Sequence, residues 1–488
     1  MLRVVRLLTI VALFVPALTV VPLLLHSWAL LHFPFDFDPG EGVDVGAAAL
    51  LLSGGQLYGD PTQFPFFGLN YPPAYPLVVA PFLLALGPSV IAGRIVSVAS
   101  AIGVAALIFV AARRSASPPD RPVAGVLGAL AFLASGYVLH VMPLARTTSL
   151  MVFLSVAGLF CLERANENRG NSRWLAAGLL ALLAAVYTKP VALDAAAAGL
   201  VFLLARRPDG WAPGLPAAVV LGIGLHVLLQ VISGERYAEA VFTANAYPFD
   251  PEQLLSYGRN FLETHGLLIA IGLVGLALEL RRDGPSPWAF YLGAGLITAA
   301  TSGRWGAGES YFFPLIIASC ILGARALGQL EPSVPHSLGL AALAVYPLLA
   351  GPGPWPISAL FPGRDRGFQA EIGYNPGPDD LAAGRRILDF VAAAQGPVLS
   401  EAAGFAVVTR QPLVSSPMLL RGLAEHGAYD SRGLVAALRA RQIDRVVLLG
   451  FWYPQPVLDA IDANYERVDQ VVMNRQVYHL LRPRDRNG

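Results

Sequence analysis

Seven residues, DFDPGEG from Asp36 to Gly42, place three carboxylates where the first long apolar run of the chain ends. A carboxylate about 3 Å from a hydroxyl can take its proton as the oxygen attacks, a general-base contribution of about 10²- to 10⁴-fold. Cations stand elsewhere in the sequence: Arg94, Arg146, Arg304 and Lys189, the chain's only lysine. A compact ammonium suits a single phosphate oxygen, and a guanidinium suits two. Together these types fit a reaction in which a phosphate departs while a hydroxyl is deprotonated. Each has a plainer alternative: Asp36, Asp38, Glu41 and Asp44 as a solvated loop, Arg146 as an interface anchor, Lys189 as an accident of topology.

What must position these residues is a membrane bundle. Hydrophobic residues make up 55% of the 488 and charged ones only 14%, against about a quarter charged in soluble domains. The net charge of +1 leaves no basic surface for nucleic acid. Cys161 and Cys320 lie in apolar runs without a CxxC or histidine partner and read as small buried hydrophobes. The start carries Arg3 and Arg6 before an apolar run longer than the about 7 to 15 residues of a cleaved signal, which predicts a retained first span with a cytoplasmic N-terminus.

Eleven apolar runs follow one another: 7–31, 88–112, 122–140, 147–162, 174–187, 190–205, 215–232, 266–280, 287–302, 311–325 and 337–350. Strict alternation puts Arg113 with Arg114, Arg164 with Arg169 and Arg173, Arg206 with Arg207, Arg281 with Arg282, and Arg325 on one side, the cytoplasmic one. The opposite side then gathers DFDPGEG, Asp60, Arg94, His140, Arg146, Lys189, Arg304, Glu309 and Tyr311. Ionisable groups at the edge of a span are costly unless they pair or bind, so this face is the candidate site.

The first outer segment, 32–87, contains a short alanine-rich helix closed by Gly54 and Gly55, then an apolar stretch too short to span that is expected along the membrane surface. A second outer segment, 233–265, offers Asp250 as a cap before Pro251. Beyond a membrane domain of 1–350 and a Pro/Gly-rich linker of 351–372, residues 373–488 alternate helix and strand signals. DDLAAGRRILDFVAAA and SRGLVAALRARQ read as helices capped by Asp379 and Ser431, and PVLSE, FAVVT and RVVLLG as strands. The predicted class is an α-helical polytopic membrane protein with an outer α/β domain and no catalytic residue in that tail. The chain has no dinucleotide fingerprint, P-loop, HExxH or GxSxG.

The segments DFDPGEG…LYGD…NYPPAYPLVVAPFLLALG, PLARTTSLMVFLSVAGL, YTKPVAL and GRWGAGESYFFPL, in this order, resemble the GT-C glycosyltransferases, in particular the branch of protein O-mannosyltransferases and lipid A aminoarabinose transferases. The resemblance spans roughly residues 5 to 350. It implies a polytopic enzyme of the cytoplasmic (inner) membrane that moves a sugar from a polyprenyl-phosphate carrier to an envelope acceptor on the outer face, usually with inversion. It also implies an acidic base in the first outer loop, at Asp38 or Glu41, and phosphate binding by Arg94, Arg146 and Lys189. Asp60, Asn70, Tyr71, Arg304, Glu309 and Tyr311 complete the expected substrate-binding set. Two departures stand out: Pro39 and Gly40 separate the two acids that many relatives have side by side, and Thr148 stands where relatives often carry an aspartate. Asp38 is the favoured base, because Pro39 fixes its own φ and biases Asp38 toward extended geometry, whereas Glu41 lies between glycines. The chemistry requires no metal, although clustered acids leave a divalent cation open. The competing class, a polytopic transporter or flippase, tends to show two similar halves with broken helices, and no such repeat is visible.

Overall fold

A computed structural model describes residues 2–114, 121–168, 172–207, 211–282, 284–350 and 373–485. The expected linker of 351–372 and Arg169 lie outside the described residues. Each of the eleven apolar runs is helical, and among the described residues six helices are long and apolar enough to cross a membrane: Arg3–Leu31, Ile91–Ala112, Thr147–Glu167, Trp211–Ile232, Pro251–Arg282 and Glu309–Leu327, the last opening with a 3₁₀ turn. The chain is a multi-pass membrane protein.

At the centre runs Phe313–Leu327, buried on every side and packed by Pro251–Arg282, Pro287–Ala300, Arg121–Leu133 and Ile91–Ala112. A largely apolar helix at the centre of a bundle needs such a jacket. Without a hydrophobic drive between helices in lipid, close backbone approach supplies the packing. A Cβ on Gly158 would lie 3.1 Å from the Gly178 carbonyl, and one on Gly275 would overlap the Leu322 carbonyl.

Two runs differ from expectation. The stretch 122–140 is two helices, Arg121–Leu133 and Gly136–Val141, because the Ser135 Oγ accepts the Tyr137 N–H at 3.2 Å and starts a new helix. Conversely, the outer helix expected from Asp250 and the span 266–280 are one helix, Pro251–Arg282. Its 32 residues reach about 48 Å, well past a hydrocarbon core of about 30 Å, so its N-terminal turns project beyond the membrane. Asp250 caps it, with Oδ1 accepting the Glu252 N–H at 2.8 Å. In the first outer segment the helix Gly40–Leu52 precedes Ala74–Leu86, whose Leu77, Phe82, Leu84 and Leu86 are exposed while Tyr75, Val79 and Leu83 face the protein. An apolar exposed face on so short a helix suits the membrane surface.

The tail is a small α/β domain with a four-stranded sheet: β1 Val398–Ser400, β2 Arg445–Leu448, β3 Tyr465–Met473 and β4 Gln476–Pro483, in the order β1-β2-β4-β3. β1 and β2 are parallel and the other pairs antiparallel. Asn474 and Arg475, both at positive φ, turn β3 into β4. FAVVT is not a strand but lies within the helix Gly404–Thr409. Its N-terminus is anchored from outside the domain, where the Gly404 N–H donates to the buried Asp36 Oδ2 at 2.9 Å. Gly404 also lies against Gly42, where a Cβ would overlap its backbone, and Phe35 stacks on Phe405 at 5.5 Å. Asp379 and Ser431 do not cap: the Asp380 carboxylate takes the Gly377 N–H at 2.8 Å, and Ser431 makes no side-chain capping bond. The domain is thereby docked on the first outer loop, on the face opposite Arg113, Arg164 and Arg325.

Candidate functional site

DFDPGEG divides into three carboxylates with three different surroundings. Asp36 turns toward the outer domain, and burial, then the neighbouring Glu41 charge, raises its pKa well above the ordinary range. Glu41 opens the helix Gly40–Leu52 and is completely buried. Its Oε2 accepts the N–H of Phe37 at 2.8 Å and of Asp38 at 3.3 Å, and its Oε1 that of Ala145 at 2.7 Å. Arg94 grips both oxygens and the carbonyls of Leu30, Phe33 and Phe35 at 2.5–2.8 Å. All five guanidinium N–H groups are thereby used within the protein. Arg94 and Glu41 hold the loop in shape, and neither lines the cavity beside it.

Asp38 does line it. Its Oδ1 accepts the Gly40 N–H at 2.9 Å and the Arg146 guanidinium, and its side chain remains 34% exposed. Arg146 precedes the helix Thr147–Glu167 in extended backbone, so its side chain leaves the helix end toward the loop. Its Nε donates to Asp44 Oδ2 at 3.0 Å. Burial raises the Asp44 carboxyl to about 6, against the pull of Arg146. Lys189 follows the helix Ser172–Val186, with Nζ 3.1 Å from the Thr148 Oγ1 and 5.5 Å from the Tyr71 ring centre. Burial and then the Arg146 charge lower it to about 8, so the position favours an added anion. The threonine that departs from the family pattern is the lysine's hydrogen-bond partner.

These groups surround a cavity of about 670 Å³ that also touches Asn70, Tyr71, Arg304, Glu309 and Tyr311. Asn70 donates to the Asn245 Oδ1 at 3.2 Å, joining the first and second outer segments. His140 Nδ1 and Glu309 Oε1 are 3.3 Å apart. Arg304 is carried by a loop tied to the second segment, where the Asp250 N–H donates to the Gly303 carbonyl at 2.7 Å. Of the expected residues, eight meet here: Asp38, Asn70, Tyr71, Arg146, Lys189, Arg304, Glu309 and Tyr311. Glu41, Arg94 and Asp60 do not. Asp60 pairs with Arg236 at 3.0 Å and accepts from Thr62 at 2.7 Å, bonds that also lower its pKa.

The outer domain supplies a wall that the sequence did not reveal. Ser416, Met418 and Trp452 reach the cavity beside Tyr247 and Trp305. Tyr247 donates to the Met418 carbonyl at 2.8 Å, and the Arg421 guanidinium stacks over Trp305 at 4.1 Å from the ring centre. The buried Glu401 accepts the N–H groups of Leu449, Gly450, Phe451 and Trp452, which fixes the loop presenting Trp452. Trp452 follows a strand in GFWYP, but no local pattern announces that the chain folds back over a membrane loop some 400 positions earlier.

Among the described residues no group of three or more His, Cys, Asp or Glu side chains is placed to hold a metal ion. Asp38 and Asp44 share Arg146.

No protein-family model matches the chain, and no curated protein matches it. Solved structures do. ArnT from Cupriavidus metallidurans in the apo state superposes with a TM-score of 0.64 at 15% identity, covering 95% of this chain and 97% of the other. The same protein bound to undecaprenyl phosphate gives 0.62 at 15% identity, covering 98% and 97%. The oligosaccharyltransferase of Archaeoglobus fulgidus gives 0.52 at 13% identity, covering 94% of this chain and 73% of the other. The chain thus shares its fold, across membrane bundle and outer domain, with these two proteins.

Proposed function

We propose that the chain is an inner-membrane glycosyltransferase that moves a sugar from a polyprenyl-phosphate carrier to an acceptor hydroxyl of the cell envelope, on the face bearing the outer domain. One observation carries this reading: a single cavity joins an accessible carboxylate, Asp38, to the cations Arg146, Lys189 and Arg304. The solved structure of ArnT bound to undecaprenyl phosphate supports the choice of carrier.

Asp38 is the general base. The acceptor oxygen attacks the anomeric carbon, its proton passes to the Asp38 carboxylate, and the bond from that carbon to the phosphate oxygen breaks with its electron pair on the phosphate. A single displacement of this kind inverts the anomeric centre. Charge accumulating on the phosphate is met by Lys189 and Arg146, cations fixed in place before the reaction. Arg146 touches Asp38 and Asp44 in the free enzyme, so the phosphate competes with both acids for it, and its arrival frees the Asp38 carboxylate for the hydroxyl. Glu41 and Arg94 act as positioning residues: they hold the backbone N–H of Asp38 and the turn that carries Arg146.

The test is transfer of label from polyprenyl-phosphate sugars, prepared as a panel, to envelope fractions in the presence of the purified chain. The expected result is label in an envelope component and free polyprenyl phosphate with at least one donor. Polyprenyl-phosphate movement across the bilayer with no bond to the sugar broken would contradict the enzyme and favour the transporter.

A further inference from the structure

The wall built by Ser416, Met418, Trp452, Tyr247 and Trp305 takes no part in the chemistry set out above. On the premise of that transfer reaction, we propose that this wall is the acceptor subsite and that the acceptor hydroxyl belongs to a sugar ring: Trp452 stacks on the ring, and Ser416 bonds one of its hydroxyls.

Three observations point to a ligand here. The first is that Trp452 is held as a rigid platform. Phe451 before it sits at a φ of 53°, a conformation costly for a bulky residue and concentrated at functional sites. Glu401 keeps the turn in that shape by accepting the N–H groups of Leu449, Gly450, Phe451 and Trp452, and the indole lies against Gly450, where a Cβ would overlap it. The electron-rich face of an indole attracts the C–H groups that one side of a sugar ring presents, and a platform fixed beforehand loses little freedom on binding. The second is Ser416, at the N-cap position of the helix Pro417–Glu425, where it makes no side-chain capping bond. Its Oγ is buried with no hydrogen-bond partner among the described residues. Such a hydroxyl is destabilising as it stands, and it can donate to a ligand hydroxyl or accept from one. The third is placement. Lys189 and Arg146, carried by the membrane helices, meet a phosphate whose prenyl chain stays in lipid, whereas Trp452 and Ser416 come to the same cavity from the domain outside the membrane. Trp305 and Tyr247 brace this wall: Arg421 covers the Trp305 ring at 4.1 Å, and the two aromatic rings are 4.9 Å apart. An extended peptide takes main-chain bonds from a free sheet edge. The strand leading to Trp452, β2, is paired on both sides, and neither edge strand, β1 or β3, lines the cavity.

The experiment uses the full-length chain in nanodiscs and two kinds of probe: methyl glycosides of mono- and disaccharides, and a peptide containing serine and threonine. Binding without donor is followed by saturation-transfer-difference NMR, and acceptor and donor KM are measured with the labelled polyprenyl-phosphate sugars. At least one glycoside is expected to bind and to accept label. Trp452→Leu is expected to raise its KM at least about tenfold, and Ser416→Ala about 3- to 10-fold, both at unchanged donor KM. Ser416→Ala removes only an unpaired hydroxyl, so it keeps the wild-type melting temperature and carries the test where Trp452→Leu does not fold. Phe451→Leu, 50% exposed and against His479, is the control and is expected to leave the acceptor KM unchanged. If no donor is cleaved, the transfer reaction fails by itself, and glycoside binding that Trp452→Leu or Ser416→Ala weakens still supports a sugar subsite. Label passing to the peptide and to no glycoside, absence of glycoside binding, binding equal in wild type and both wall variants, or an equal loss in Phe451→Leu overturns the proposal.

Discussion

At the scale of single residues, Lys189 is the most separable member of the site. Its Nζ touches a threonine hydroxyl and no carboxylate, so removing it strands no buried partner. Its folded pKa of about 8 lies below the ordinary lysine value of 10.5, and the sign follows: between these values the unfolded chain binds more protons, so the protonated lysine costs stability below pH about 8. Lys189→Met is therefore expected to keep or raise the melting temperature while raising the donor KM about 10- to 100-fold, the range of one charge-assisted hydrogen bond. In wild type, donor kcat/KM should fall as pH rises through about 8, because it reports the free enzyme. An unchanged KM in the variant, or a flat profile in wild type, removes Lys189 from phosphate binding. Arg146 offers no such clean test, since its loss leaves Asp44 buried and unpaired. Residue chemistry was legible in part. The sequence showed an only lysine and clustered acids, and it put Arg94 inside an apolar run and Arg146 between two, but not which partners each would take. Arg94 lies inside a helix where bundle neighbours and loop carbonyls take every donor, and Arg146 at a helix end that opens on the cavity.

Among elements, the decisive contact is between the helices Gly40–Leu52 and Gly404–Thr409. Gly42 and Gly404 meet with no room for a Cβ, and Asp36 receives the Gly404 N–H. Gly42→Ala is expected to push the outer domain off the loop, lowering the melting temperature by several degrees and speeding proteolysis between residues 351 and 372. Ala48→Gly, elsewhere on the same helix, should not speed that cleavage. Proteolysis in Gly42→Ala at the wild-type rate would show that the docking is not made there. Helices were legible from long apolar runs, whose composition alone decides them in a membrane. The break at Ser135 and the fusion through residue 265 were not, because one rests on a hydroxyl shared with His265 at 2.8 Å and the other on a helix that passes through the interface without a stop signal. FAVVT carried β-branched residues and still folds as helix, since its position over Asp36 outweighs a weak propensity.

For the whole molecule, the arrangement requires the outer domain and the cavity on one side and the arginines on the other. A cysteine at Ser431 should react with an impermeant thiol reagent in intact cells, after outer-membrane permeabilisation where there is one, and a cysteine at Ser172 should not; the reverse pattern inverts the orientation. That two-sidedness was readable from arginine spacing, whereas the closing of the site by Ser416, Met418 and Trp452 needed the fold, since it joins residues far apart in sequence. The central claim is that one accessible carboxylate at this junction performs the chemistry while its neighbour keeps the loop in shape, and isosteric amides separate the two. With the donor identified by the labelled panel, turnover and donor binding are measured for Asp38→Asn and Glu41→Gln, together with melting temperatures. Asp38→Asn is expected to bind donor and melt near wild type while losing at least about 10²-fold in turnover, the scale of a general base. Glu41→Gln, which weakens a fully buried pair, is expected to lose stability of up to about 3 kcal/mol, and so to melt lower, while the folded fraction still turns over. Wild-type turnover in Asp38→Asn, with Glu41→Gln folded and inactive, would contradict the account.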